Sequence, residues 1–161
     1  MKTAIIYASK YGTTEKVAEQ IARRLAEKGD IELISLRNNP RPDIAPFDAV
    51  VLGTSIYTGR PAKKMKVFCT ANESALLHKR LGLVVCGMHP DEAERAKELR
   101  DAYPAALHEA AVAEGFMGGE FLFDRMNFLE RLVARKIAKT KSSVHSIDSD
   151  AVERFAEKFL K

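Results

Sequence analysis

Residues 3–15 read TAIIYASKYGTTE: an apolar run that passes directly into hydroxyls and a single glycine. Lys2 to Ala8 has the short, continuous apolar character of a strand buried on both faces. From Thr14 the period changes. Val17, Ala18, Ile21, Ala22, Leu25 and Ala26 recur at helical spacing, and Gly29 stops the helix. The first amides of a helix have no partners within it, and its dipole favours negative charge at that end. The hydroxyls of Ser9, Thr13 and Thr14 add donors, and Gly12 removes a side chain where the backbone must come close. The turn from Ser9 through Lys10 and Tyr11 to Thr14 therefore suits a phosphate. Its plainer alternative is an ordinary Ser/Thr-capped helix start.

The pattern also says which phosphates to set aside. The nucleoside-triphosphate loop G-x-x-x-x-G-K-[ST] is absent, and so is the dinucleotide fingerprint G-x-G-x-x-G. A phosphoacceptor domain needs an acidic cluster at the first strand, and no carboxylate occurs before Glu15. What remains is a compact phosphomonoester cradled by hydroxyls and amides, without a metal.

The rest of the chain repeats the alternation. Ile31 to Leu36 reads as a strand with some alternation, fit for a sheet edge, and the turn-rich NNPRPDIAP follows it. Asp48 to Thr54 and Leu81 to Gly87 are further buried strands, and Phe116 to Phe123 is a weaker one broken by Gly118-Gly119. Pro61 suits the first position of a helix carrying Met65, Phe68 and Cys69. HPDEAERAKELRDAYP has acids where a helix begins and a proline where it stops. Two more helical patterns close the chain, Asp124 to Lys139 and Ser149 to Leu160. Strands alternating with helices predict one α/β domain over residues 1–161, its parallel sheet covered on both faces. Ligands of such sheets bind at carboxyl ends of strands. The candidate ends are Ser9 to Thr14, Thr54 to Arg60 and Gly87 to Asp91.

Composition bounds the function. A chain of 161 residues, 46% hydrophobic and 30% charged, buries a core without staples. No apolar run approaches the roughly 18 residues of a membrane span, and Met1-Lys2 starts no signal-peptide pattern. Cys69 and Cys86 form no C-x-x-C motif, and His78, His108 and His145 have no metal-ligand spacing. A reduced, cytoplasmic protein without a metal is the expectation. The net charge of +4 can be located: between Asp124 and Lys141 six basic residues face two acids, an excess equal to that of the whole chain. No nucleic-acid partner is expected.

On Ser9, Gly12 and Thr14, followed by Glu15-Lys16, the sequence resembles the flavodoxin family, whose flavin mononucleotide (FMN) phosphate loop runs T/S-x-T/S-G-x-T. Tyr11 departs from that pattern by replacing a small hydroxyl residue. The resemblance implies a three-layer, doubly wound, five-stranded parallel sheet of order 2-1-3-4-5 and FMN as cofactor. Residues Ser9, Lys10, Tyr11, Gly12, Thr13 and Thr14 would hold the phosphate. The stretch Thr54, Ser55, Ile56, Tyr57, Thr58, Gly59 would border the ring, with Tyr57 either stacked on it or an exposed loop tyrosine. Gly59 would supply the peptide that turns towards the flavin on reduction. The amides of Gly87 and Met88 would meet its pyrimidine edge. His89 beside them reads more simply as a helix-start residue than as a base, and Cys86 as structural.

Electron-carrier flavodoxins are typically acidic and have one helix after the last strand; this chain is basic and has two. In the extra helix Met126, Leu129, Val133 and Ile137 form an apolar stripe expected to face the core. Arg131, Arg135 and Lys139 form a row on the other side, with Phe128 and Leu132 among them, suited to an anionic membrane surface or an acidic partner. GGEFLFDRMNFLERLVARKIAK (residues 118–139) and the turn Thr54 to Gly59 are similar to menaquinone-dependent protoporphyrinogen oxidases of flavodoxin type. That resemblance implies an oxidoreductase of porphyrin biosynthesis passing electrons to quinone, at the inner face of the cell membrane. A non-enzymatic carrier docking on a redox partner protein is the alternative. No residue of the segment is a recognisable catalytic group, so the flavin would carry the redox chemistry.

Overall fold

The computed structural model describes residues 1–121, 127–138 and 144–161. In chain order its elements are β1 (Lys2–Ala8), α1 (Thr13–Leu25), β2 (Asp30–Ser35), β3 (Ala49–Tyr57), β4 (Arg60–Pro61), α2 (Lys63–Leu76) and β5 (Arg80–Cys86). There follow α3 (Glu92–Ala102), α4 (Ala105–Ala110), β6 (Ala111–Phe116), β7 (Gly118–Phe121), α5 (Phe128–Ala138), β8 (Val144–Ile147) and α6 (Ser149–Leu160).

Five strands form a parallel sheet in the order β2-β1-β3-β5-β6. The order reverses beside β1, the strand whose end carries the hydroxyl-rich turn. The central strands are continuous apolar runs because both faces are covered. Ile6, Leu52 and Leu83 pack with Met65 and Phe68 of α2 and Leu107 of α4 on one side. Ile5, Val51 and Val84 pack with Val17 and Ile21 of α1 and with Phe155 and Phe159 of α6 on the other. The edge strand β2 is mostly exposed, as its alternation predicts. No helix among the described residues is long and apolar enough to cross a membrane.

Several boundaries differ from expectation. The fifth parallel strand is Ala111–Phe116, upstream of the predicted Phe116 to Phe123. AVAEGF is short and carries a glutamate, so it lacks a strand's usual pattern, while the more apolar GGEFLF drew the prediction onward. Gly118–Phe121 instead turns away and pairs antiparallel with β8, an element the sequence did not suggest; residues 122 and 123 lie outside the described set. The Asp148 amide donates to Met117 O at 2.9 Å, so the excursion from 118 to 147 leaves and rejoins the sheet at one point. Pro61 belongs to the two-residue strand β4, not to a helix start; α2 begins at Lys63. β3 runs on to Tyr57, and Tyr57↔Arg60 closes a hairpin over Thr58 and Gly59. Both turn residues have positive φ, 50° and 73°, the signature of a two-residue hairpin turn of type I′.

The extra helix, α5, also departs from expectation. It starts at Phe128, and the two described side chains of the stripe assigned to the core do not lie there: Leu129 and Val133 are 72% and 39% exposed. Met126 and Lys139 lie outside the described residues. The helix meets the domain through Glu130, on its opposite side, which Lys10 and Tyr11 engage.

Candidate functional site

The ends of β1, β3 and β5 enclose a cavity of about 350 Å³, within the range of small-molecule sites. From the β1 turn it is lined by Ser9, Lys10, Tyr11 and Thr13; from β3 and its hairpin by Ser55, Ile56, Tyr57, Thr58 and Gly59; from the β5 end by Gly87, Met88 and His89. Those three stretches are far apart in sequence, and parallel pairing in register is what aligns their ends. Gly12, Thr14 and Thr54 do not line it.

The β1 turn is built for an anion. Gly12 sits at the N-cap of α1 with φ 96°, a left-handed conformation that a Cβ disfavours. Its amide donates to Ser9 Oγ at 2.9 Å, folding the turn over. Asp91 caps α3 and Asp148 caps α6, whereas no side chain caps α1. Its first amides are therefore left for a ligand or solvent. Thr14 is 1% exposed, and its Oγ1 finds no hydrogen-bond partner among the described residues. It lies beside the Cys86 thiol and over Gly53 without closing a hydrogen bond of ordinary geometry. Burial pushes that thiol up to about 12, so Cys86, though on the cavity wall, is an inert packing residue. Thr54 is structural too: its Oγ1 accepts from the Ala62 amide at 3.2 Å, tying β3 to the start of α2.

Tyr11 and Tyr57 meet edge to face, ring centroids 6.4 Å apart, with Lys10 Nζ 4.2 Å from the Tyr57 centroid. The two aromatic faces and the ammonium form one wall of the cavity. Lys10 Nζ and the Tyr11 hydroxyl both donate to Glu130 of α5, the first at 2.5 Å. These two bonds hold the Glu130 carboxyl below its ordinary value. Burial, and then the bond to Glu130, raises the Tyr11 phenol. Asn127 Oδ1 accepts from the Glu130 amide at 2.9 Å while Glu130 Oε2 accepts from the Asn127 amide at 3.2 Å, a reciprocal capping box. Glu130 thus starts its own helix and docks it.

A second carboxylate from the excursion approaches the same turn. Glu120 of β7, its side chain 2% exposed, accepts from Thr13 Oγ1 at 3.1 Å and from Lys16 Nζ at 3.1 and 3.2 Å. Gly87 N donates to Gly118 O at 2.9 Å, which stitches β7 to the third strand end. On the far wall stand Glu94, Lys97, Glu98 and Asp101 of α3. Glu98 Oε2 is buried against Gly87 without a partner among the described residues, and burial raises its carboxyl. Glu120, Glu130 and the α3 acids were not foreseen. Only the helical spacing of Glu94, Glu98 and Asp101 hinted that α3 turns an acidic face to one side. Among the described residues no cluster of His, Cys, Asp and Glu has the makings of a metal site.

A family model described as "Flavodoxin domain" matches residues 4–148. No curated protein sequence matches the chain. Among solved structures, oxidised flavodoxin 1 from Bacillus cereus is 17% identical with a TM-score of 0.62, covering 99% of this chain and 97% of that one. A short-chain flavodoxin associated with a non-canonical PDU bacterial microcompartment is 18% identical, with a TM-score of 0.65 and the same coverage. A cysteine-to-serine mutant of the flavodoxin from Pseudomonas aeruginosa covers 100% of both chains at 15% identity and a TM-score of 0.55. At these identities the likeness speaks to the fold.

Proposed function

This chain belongs to the flavodoxin-domain family, and on that premise we propose that it holds FMN in the cavity at the β1, β3 and β5 ends and exchanges electrons with a redox partner. The observation that carries the reading is the start of α1: an uncapped helix N-terminus behind a left-handed Gly12, on a turn that lines the cavity. The residues fit the group. The turn's amides and the Ser9 and Thr13 hydroxyls would hold the phosphate, while Tyr57, Tyr11 and the Gly87–His89 backbone would border the ring. Bound FMN supplies the capacity to accept and release one or two electrons. The chain's part is to orient it, exclude water with the two tyrosines, and set the charge around it through Lys10, Glu98 and Glu120.

The finer reading is an oxidoreductase taking electrons from a protoporphyrinogen-type substrate and giving them to a quinone. It is supported by the resemblance of residues 118–139 and by the position of that segment, which brings Gly119, Glu120 and Val133 to the cavity wall. The alternative is a carrier docking on a partner protein, with the basic residues Arg131 and Arg135 of α5 facing an acidic partner or an anionic membrane surface. Titration of the flavin-free protein with FMN and with riboflavin tests the cofactor: FMN should bind far more tightly, and equal affinities would overturn the assignment. Anaerobic turnover with protoporphyrinogen and a menaquinone analogue then separates enzyme from carrier.

A further inference from the structure

Between Asp48 and Glu73 the chain carries no carboxylate, and the four basic residues of that stretch, Arg60, Lys63, Lys64 and Lys66, fall within seven positions. The fold gathers them at one place. Arg60 opens β4 and the three lysines lie in the first turns of α2, all four exposed. Met65, Phe68 and Cys69 hold α2 to the sheet, so the lysines fan over its outer side around Val67, itself 60% exposed. None of the four has an acidic partner among the described residues. No side chain caps α2, and its first turn holds no acid. The lysines therefore stand where the helix dipole is already positive, which raises the local potential instead of stabilising the helix.

The cluster adjoins the cavity. Tyr57 pairs with Arg60 across the hairpin, and Tyr57, Thr58 and Gly59 line the cavity wall. On its other side β4 lies against α3, whose first turn is acidic. Glu92 and Glu94 are exposed there and form no ion pair among the described residues. On the cavity wall α3 presents Glu94, Glu98 and Asp101 with Lys97 as their single cation. The rim of the cavity thus carries positive charge on the α2 side and negative charge on the α3 side.

We propose that the start of α2 is the docking site of an acidic redox protein, whose carboxylates meet Arg60, Lys63, Lys64 and Lys66. The proposal rests on the reading of the cavity as the place of electron exchange, and it gives the partner's class and the side from which it approaches. A uniformly anionic surface, whether lipid or nucleic acid, gains at α2 but is repelled by Glu92 and Glu94. A protein patch can present acids to α2 and turn neutral or basic groups to α3. The cluster also offers a bilayer no bulky apolar side chain, Val67 being its one exposed large hydrophobe. Opposite charges on the two sides would steer such a partner to the cavity mouth in one orientation.

The test uses an acidic two-iron ferredoxin as the probe, its binding followed by calorimetry at low salt with FMN-free and FMN-loaded protein. The parent should bind it in both forms, and carbodiimide coupling should join Lys63 or Lys64 to its carboxylates. Substituting Arg60→Gln, Lys63→Gln, Lys64→Gln and Lys66→Gln together should weaken binding by roughly tenfold or more and flatten its salt dependence. None of the four side chains lines the cavity, and Gln keeps the helix propensity of Lys. Circular dichroism and FMN affinity of the variant should therefore match the parent. Failure of FMN binding in the parent would sink the cofactor reading while leaving the protein complex standing. A ferredoxin that the parent ignores, or that parent and variant bind alike, would overturn the docking site. Binding to phosphatidylglycerol vesicles that the variant loses, with ferredoxin binding unchanged, would overturn it in favour of a lipid surface.

Discussion

The Tyr11 hydroxyl donates to Glu130, 119 positions further along the chain, and thereby joins the turn after β1 to the helix α5. Lys10 donates to the same carboxylate. Because Glu130 titrates below its ordinary value, its contribution is complete above the usual carboxylate range and is lost as pH falls through the folded value. Tyr11 titrates above its ordinary value, so its contribution is complete below the usual phenol range and is lost as pH rises through the folded value. The contact should hold across neutrality and loosen at acid pH. Hydrogen exchange of α5 compared between pH 7 and a pH well below the ordinary carboxylate range should show the helix opening while β1 and β3 stay protected. Glu130→Gln should reproduce that opening at pH 7, at a cost of about 1 kcal/mol in local stability. An unchanged exchange pattern would mean that α5 is held by other contacts.

Gly12 has φ 96° at the head of an uncapped helix. Gly12→Ala places a Cβ in a left-handed backbone and should cost about 1–2 kcal/mol of stability. If the turn holds a phosphate, the same change should weaken FMN more than riboflavin, read by titration of both ligands. A loss of stability with equal weakening of both ligands would confine Gly12 to a structural role.

Thr58 holds φ 50° in the turn beneath the cavity although it is β-branched. Thr58→Asn should relieve the strain and raise stability by about 0.5–1 kcal/mol, since Asn tolerates that region far better. Thermal unfolding of the two proteins measures it. A lower midpoint for the Asn variant would show that the Thr58 side chain contributes contacts worth more than the strain.

Glu120 places a carboxylate beside Thr13 and Lys16 at the positive end of α1. A dianionic ligand in the turn must share that positive end with it. Glu120→Gln should therefore tighten FMN several-fold and leave riboflavin unchanged, and raised salt should narrow the difference between the parent and the variant. Weaker FMN binding in the variant would mean that Glu120 orients the turn more than it repels the ligand.

Gly82 lies on β5 where an added Cβ would come within 2.7 Å of Phe155 Cζ and 3.0 Å of Phe159 Cδ2. Gly82→Ala should cost about 1–3 kcal/mol by overpacking, lowering the unfolding midpoint without altering relative ligand affinities. A neutral result would show that α6 shifts freely on the sheet.

The sheet and the three strand ends were legible because buried parallel strands are continuous apolar runs and the helices between them have a clear period. Lys2–Ala8, Asp48–Thr54 and Leu81–Gly87 carried that signal, and the placement of Ser9, Tyr57 and Gly87 around one cavity follows from it. The side chains within the loops were less legible. Nothing local distinguishes Thr13, which reaches Glu120, from Thr14, which turns inward; the direction is set by how α1 leaves the sheet. Glu120 and Glu130 escaped notice for the same reason, their partners being more than a hundred positions away. The stripe on α5 misled because amphipathic spacing reports two faces and not which of them meets the domain.

The chain from Gly118 to Ile147 departs and returns at adjacent points, with Met117 bonded to Asp148. Closing a loop depends on its length only logarithmically, about 0.6 kcal/mol for each doubling. The parent sheet is therefore nearly indifferent to how long this segment is. Replacing residues 120–145 by a tight turn should leave β6 running into α6 across the same joint, and a foreign segment grafted there should be carried beside the cavity without refolding what lies beneath. The scaffold can thus be re-addressed to a new destination, while what Glu120 and Glu130 lend the cavity leaves with the segment that is exchanged.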